Sequence, residues 1–151
     1  MFRGVSLISL DEKGRLAIPT RYRGELLTTC SGQVIVTVGL DKCLLLYPLP
    51  EFKEIERKLV KLPSLNPHAK RLQRLLMGHA TECELDGQGR LLIAESLRHY
   101  AGLERKVALV GQGNKFEIWD EVLWNSNRDI RVEEERLGQE DLTAEPEGLS
   151  L

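Results

Sequence analysis

At 151 residues, 42% hydrophobic and 29% charged, the chain suits one large domain or two small ones packed on a shared core. No apolar run approaches bilayer length, and the opening Met-Phe-Arg-Gly-Val-Ser lacks the apolar centre of a secretion signal. That predicts a soluble cytoplasmic protein with no membrane partner. The net charge of −2 is uneven: residues 129–151 hold eight acidic groups against Arg131 and Arg136, and this −6 leaves +4 on the remainder. A mildly basic body permits nucleic-acid binding without demanding it.

In chain order, apolar alternation runs through Leu7 and Leu10 and on to Leu16 and Ile18, around a turn at Asp11–Gly14. Pro19 and Thr20 open a short helix through Leu27, in which Gly24 is a poor helix former. Val34–Val38 and Cys43–Tyr47 read as strands joined by Gly39-Leu40-Asp41-Lys42. Two helices follow. Phe52, Ile55, Leu59 and Leu62 share one face of the first. Asn66-Pro67 caps the second, which should bury Ala69, Leu72, Leu75 and Leu76 and display Lys70, Arg71 and Arg74. The strand–turn–strand, helix, strand–turn–strand order then recurs through Glu95–Ala101, Val107–Val110 and Phe116–Trp119. After Trp124 the apolar periodicity fades, which predicts a frayed or disordered acidic tail.

The recurrence is a true internal repeat. Leu10-Asp11-Glu12-Lys13-Gly14-Arg15-Leu16-Ala17-Ile18 returns 75 residues later as Leu85-Asp86-Gly87-Gln88-Gly89-Arg90-Leu91-Leu92-Ile93, with six of nine positions identical. Arg23 matches Arg98 at the same offset, while Leu44-x-Leu46-Tyr47 matches Phe116-x-Ile118-Trp119 at an offset of 72. Phe52 pairs with Trp124 at that second offset. These matches divide the chain into a first module over residues 5–52, linking helices over 53–80, a second module over 81–124, and a helix end with acidic tail over 125–151. The fold class is mainly β with short helices.

Catalytic chemistry finds no foothold. His68, His79 and His99 have no ligand spacing, and Cys30, Cys43 and Cys83 are an odd number with no C-x-x-C, so no metal site is expected and the thiols should be reduced. No nucleophile elbow, Walker loop or dinucleotide fingerprint is present, so no catalytic residue, cofactor or small-molecule substrate is assigned.

The duplicated Asp-x-x-Gly-Arg motif supports two readings. In one, Asp11 and Asp86 cap a turn, Gly14 and Gly89 supply its positive φ, and Arg15 and Arg90 pair with the aspartates to stiffen it. In the other, the turn aims an arginine fork at phosphate or a guanine edge. The first copy is the more cationic: Lys13 stands where the second has Gln88, Thr20 where it has Glu95, and Arg3, Arg21 and Arg23 lie near in sequence. If one copy reads DNA directly, it is the first.

Met-Phe-Arg-Gly at the start, Asp11-Glu12-Lys13-Gly14-Arg15-Leu16-x-Ile18-Pro19 and Asp86-x-x-Gly89-Arg90-Leu91 resemble the MraZ family. So do Cys43-Leu44-Leu45-Leu46-Tyr47-Pro48, Arg74-Leu75-Leu76-x-Gly78-His79-Ala80 and Lys115-Phe116-Glu117-Ile118-Trp119. The resemblance reaches to about Trp124. It implies two swapped-hairpin modules similar to AbrB and SpoVT, forming within one chain the barrel that such proteins form as dimers. It further implies a nucleoid-associated regulator, a repressor, assembled as a ring-shaped homo-oligomer on double-stranded DNA. The DNA would be tandem repeats in the promoter of its own gene and of the division and cell-wall cluster. By that carry-over Arg15 leads the DNA contacts, with Lys13 and Arg3 beside it and Arg21 and Arg90 secondary. The competing function is an oligomeric antitoxin-like protein-interaction module, against which stands the presence of two modules where such antitoxins carry one.

Overall fold

The computed structural model describes residues 1–140. Met1–Asp120 forms one compact unit and Glu121 begins a second. The first unit runs β1 (Val5–Ser9), β2 (Arg15–Ala17), α1 (Thr20–Cys30), β3 (Gln33–Val38), β4 (Leu44–Pro48), α2 (Leu49–Val60) and α3 (Pro67–Leu76). It continues with β5 (Thr81–Glu84), β6 (Arg90–Leu92), α4 (Glu95–Tyr100), β7 (Lys106–Gly111) and β8 (Phe116–Asp120). The fold is α+β, mainly β, and every strand pairing is antiparallel.

The two copies exchange strands. Six strands lie in the order β1-β7-β8-β4-β3-β5, and β2 pairs with β6 in a separate two-stranded ribbon. Only β3–β4 and β7–β8 are hairpins within a copy. Strand β1 of the first copy pairs with β7 of the second (Val5↔Val110 to Ser9↔Lys106), and β5 of the second pairs with β3 of the first. The segments flanking Asp11–Gly14, which alternate like a local hairpin, therefore find their partners in the other copy. The exchange is symmetric down to single bonds: Leu10 N–H donates to Arg105 O at 2.7 Å, and Leu85 N–H donates to Gly32 O at 2.9 Å. The barrel expected from the resemblance is not closed by hydrogen bonds among the described residues, because β1 and β5 end the sheet.

One core serves both copies. Leu16, Ile18, Leu26, Val36, Leu44 and Leu46 from the first pack with Leu91, Ile93, Val107, Phe116 and Ile118 from the second, all fully buried. Phe2 joins them: its backbone bridges Gly113 through two 2.7 Å bonds, and its ring lies 4.3 Å from Phe116. Tyr47 and Phe52 meet with rings tilted by 52° and centres 5.5 Å apart, in a smaller cluster with Ile35, between α2 and the sheet. The Asn66 side chain caps α3 by accepting from the His68 and Ala69 amides. Only Ala69 of that helix is fully buried; Leu72, Leu75 and Leu76 are half-buried, so its apolar face is covered in part. Cys30 and Cys43 are buried, Cys83 is half-buried, and no two form a disulfide. Burial, assisted by the Glu117 carboxylate, pushes the Cys43 thiol up to about 12.

In the second unit, α5 (Glu121–Glu140) extends well past Trp124, where the sequence reading began a frayed tail. Apolar period does not sustain this stretch. Good helix formers do, together with (i,i+3) ion pairs, Arg131–Glu134 at 2.9 Å and Glu133–Arg136 at 2.6 Å. The rest of the expected acidic tail, residues 141–151, lies outside the described residues.

Candidate nucleic-acid interface

Each Asp-x-x-Gly-Arg motif folds into the same closed turn. In the first, Asp11 N–H donates to Arg15 O at 3.1 Å and Gly14 N–H to Asp11 O at 3.0 Å. Asp11 Oδ1 accepts the Lys13 and Arg15 amides, both at 2.9 Å, and Oδ2 accepts Arg15 Nε at 2.6 Å. In the second, Asp86 accepts the Gln88 and Arg90 amides and Arg90 Nε, all at 2.9 Å. Gly14 at φ 83° and Gly89 at φ 75° take the left-handed conformation that other residues adopt only at a cost. The turn amides hold the carboxylates anionic. Asp11 is lowered to about 2, by the Arg15 amide first and then by the Arg15 guanidinium and Lys13 amide, against some desolvation. Asp86 is lowered by the Arg90 amide first.

The ribbon then decides where the arginines point. Leu16 and Leu91 stand opposite each other and are fully buried. Side chains alternate along a strand, so Arg15 and Ala17 on β2, with Arg90 and Leu92 on β6, face the other way. Arg15 pairs with Leu92 and Arg90 with Ala17, which sets the two arginines on a diagonal of one outer face, about 7–8 Å apart by ordinary sheet geometry. Both side chains are 28% exposed. Each spends Nε on its aspartate, and among the described residues the terminal nitrogens make no hydrogen bond. The geometry holds the bracing contacts of the first reading: the aspartate stiffens the turn and orients a guanidinium whose outer edge is unspent.

The other expected contacts divide. Lys13 is exposed on the first turn. Arg21 and the Arg3 backbone meet through Tyr22 beside β1: Arg21 Nη2 donates to Ser6 Oγ at 2.8 Å, its guanidinium lies 4.7 Å from the Tyr22 ring centre, and Tyr22 Oη donates to Arg3 O. No described hydrogen bond or ion pair joins that pair to the β2–β6 ribbon. The sequence marks Arg23 only as one of the cations of the first copy and as the repeat match of Arg98, and gives neither a place at the turns. Both are half-buried against the turn glycines; the signal was their equal offset from the motif.

No cluster of three or more His, Cys, Asp or Glu suited to a metal ion occurs among the described residues, and none of their helices is long and apolar enough to cross a membrane. What the fold defines is a strand-exchanged pair of β modules that presents two aspartate-braced arginines on one ribbon. The family model described as "MraZ protein, putative antitoxin-like" matches residues 1–75 and again 76–141, one match to each copy. The chain is similar to proteins named transcriptional regulator MraZ from Methylococcus capsulatus, 67% identical over 96% of both chains, and from Halorhodospira halophila, 55% identical over the whole of both. A relative of the same name from Escherichia coli is 53% identical over the full length of each. The chain belongs to the MraZ family.

Proposed function

We propose that this chain is a sequence-specific DNA-binding transcriptional regulator whose reading head is the β2–β6 ribbon. The observation that carries the proposal is the pair of aspartate-braced arginines on its outer face. A two-stranded ribbon fits the major groove of B-DNA, and an arginine fork matches guanine O6 and N7. Lys13 supplies a phosphate contact beside Arg15, and the Arg3–Arg21 pair adds a second cationic patch. The names of the relatives support regulation of transcription.

The finer reading is a repressor that acts as a ring-shaped homo-oligomer on tandem boxes in the promoter of its own gene and the division and cell-wall cluster. Its two reading modules are residues 5–52 and 81–124, and it works in the cytoplasm on the nucleoid. A single chain with a few free cations binds one short box weakly, whereas linked copies on adjacent boxes multiply affinity through effective concentration.

Mobility shift on the protein's own upstream promoter tests the proposal. Arg15→Ala should abolish the shift, and Arg15→Lys should weaken it because lysine cannot form the fork. Melting temperature and oligomer size should stay nearly unchanged in both. Light scattering should report several times the 17.1 kDa of one chain. A variant that unfolds instead of losing DNA would confine Arg15 to bracing the turn. The family description also contains the word antitoxin, so intact promoter binding by Arg15→Ala, with a protein partner retained, would favour an interaction module.

A further inference from the structure

Each turn glycine is covered by an arginine from the opposite copy. Arg98 on α4 covers Gly14, where an added Cβ would sit 2.7 Å from its Nε and Cζ. Its Nε donates to Ile93 O at 3.0 Å, and the Ile93 amide in turn donates to Gly14 O at 3.1 Å. The second turn repeats this with the copies reversed. Arg23 on α1 covers Gly89, where an added Cβ would sit 2.6 Å from its Cδ. Arg23 Nε donates to Ile18 O at 2.6 Å, and the Ile18 amide donates to Gly89 O at 2.9 Å.

We infer that Arg98 and Arg23 are positioning residues that act crosswise: Arg98 of the second copy sets the Asp11–Arg15 turn, and Arg23 of the first sets the Asp86–Arg90 turn. A planar guanidinium suits the task because it lies against a Cβ-less backbone while its Nε donates in plane to a carbonyl; an ammonium cannot do both. The arrangement gives the glycines a second reason beyond φ. It also ties the direction of each fork to the opposite copy, so the two forks are held relative to each other. Turn positioning stands on the contacts alone; its consequence for DNA rests on the function proposed above.

The test reads the two turns separately, on the full chain. Hydrogen exchange at the Arg15 and Arg90 Nε–H groups is followed by NMR in Arg98→Ala, Arg23→Ala and the corresponding lysine variants. Arg98→Ala should speed exchange at Arg15 at least about tenfold and leave Arg90 unchanged, and Arg23→Ala should do the reverse. Promoter affinity should fall about tenfold or more in Arg98→Ala, within what one bidentate base contact is worth. If the alanine variants do not fold, the lysine variants carry the test, with the same crosswise pattern expected. Both turns loosening together alongside a lower melting temperature would overturn the inference, as would no change at either. If the wild-type chain fails to shift its promoter while the crosswise exchange pattern holds, the DNA function fails and the positioning role stands.

Discussion

Asp11 shows how one carboxylate both closes a turn and orients an arginine. It accepts two amides on Oδ1 and the Arg15 guanidinium on Oδ2, so ionisation is favoured and its folded value falls to about 2 from an ordinary 3.8. A depressed folded value means that the ionised group favours the folded chain. That contribution is complete above pH 3.8 and is lost as pH falls through about 2. The carboxyl carbon of Asp11 should therefore titrate with a midpoint near 2 by NMR; a midpoint at an ordinary carboxylate value would show the turn open in solution. Asp11→Asn removes the charge that faces Arg15, while the amide oxygen still accepts backbone N–H groups. Melting temperature at neutral pH should fall, losing the contribution that acid removes from the wild type, and promoter affinity should drop roughly tenfold.

Among elements, α1 and the turns show that glycine has opposite meanings at different positions. Gly24 lies inside α1, exposed, with nothing within 4 Å of an added Cβ. Alanine there should stabilise the chain by about 0.5–1 kcal/mol in denaturant unfolding, since it removes only backbone freedom from the unfolded state. Gly14→Ala should cost more than about 1 kcal/mol, because φ is positive and Arg98 fills the space. Equal effects at the two sites would contradict the turn geometry. The sequence made both turns legible, because Asp-x-x-Gly-Arg encodes its own local closure, along with β3, β4, β7 and β8 to within about a residue. Pairing partners were not legible in the residues themselves: alternation specifies which face of a strand is buried, and it is silent on the strand beside it. The burial of Phe2 escaped for the same reason, since only a bridge to Gly113, far along the chain, puts it in the core. The length of α5 escaped because ion pairs and helix formers sustain it where apolar spacing does not.

At the scale of the molecule, strand exchange makes each copy the other's missing half. Cut after Ser64, between α2 and α3, the first fragment retains its β3–β4 hairpin but loses the partners of β1, β2 and β3, which are β7, β6 and β5. It also loses Leu91, Ile93, Val107, Phe116 and Ile118 from the shared core, and Arg98 from above Gly14. A fragment this short, left with unpaired edges and half a core, cannot offset its conformational entropy. In the intact chain the linking segment keeps the halves at high effective concentration, so the exchange is intramolecular. Each fragment expressed alone should therefore be an unfolded monomer or a homodimer that substitutes a second copy of itself for the absent half. Mixing the two should restore a folded one-to-one complex with the circular dichroism of the intact chain. A monomeric fragment with its own cooperative melting transition would show that the modules fold independently, and the exchanged pairings would then be a consequence of docking rather than its cause.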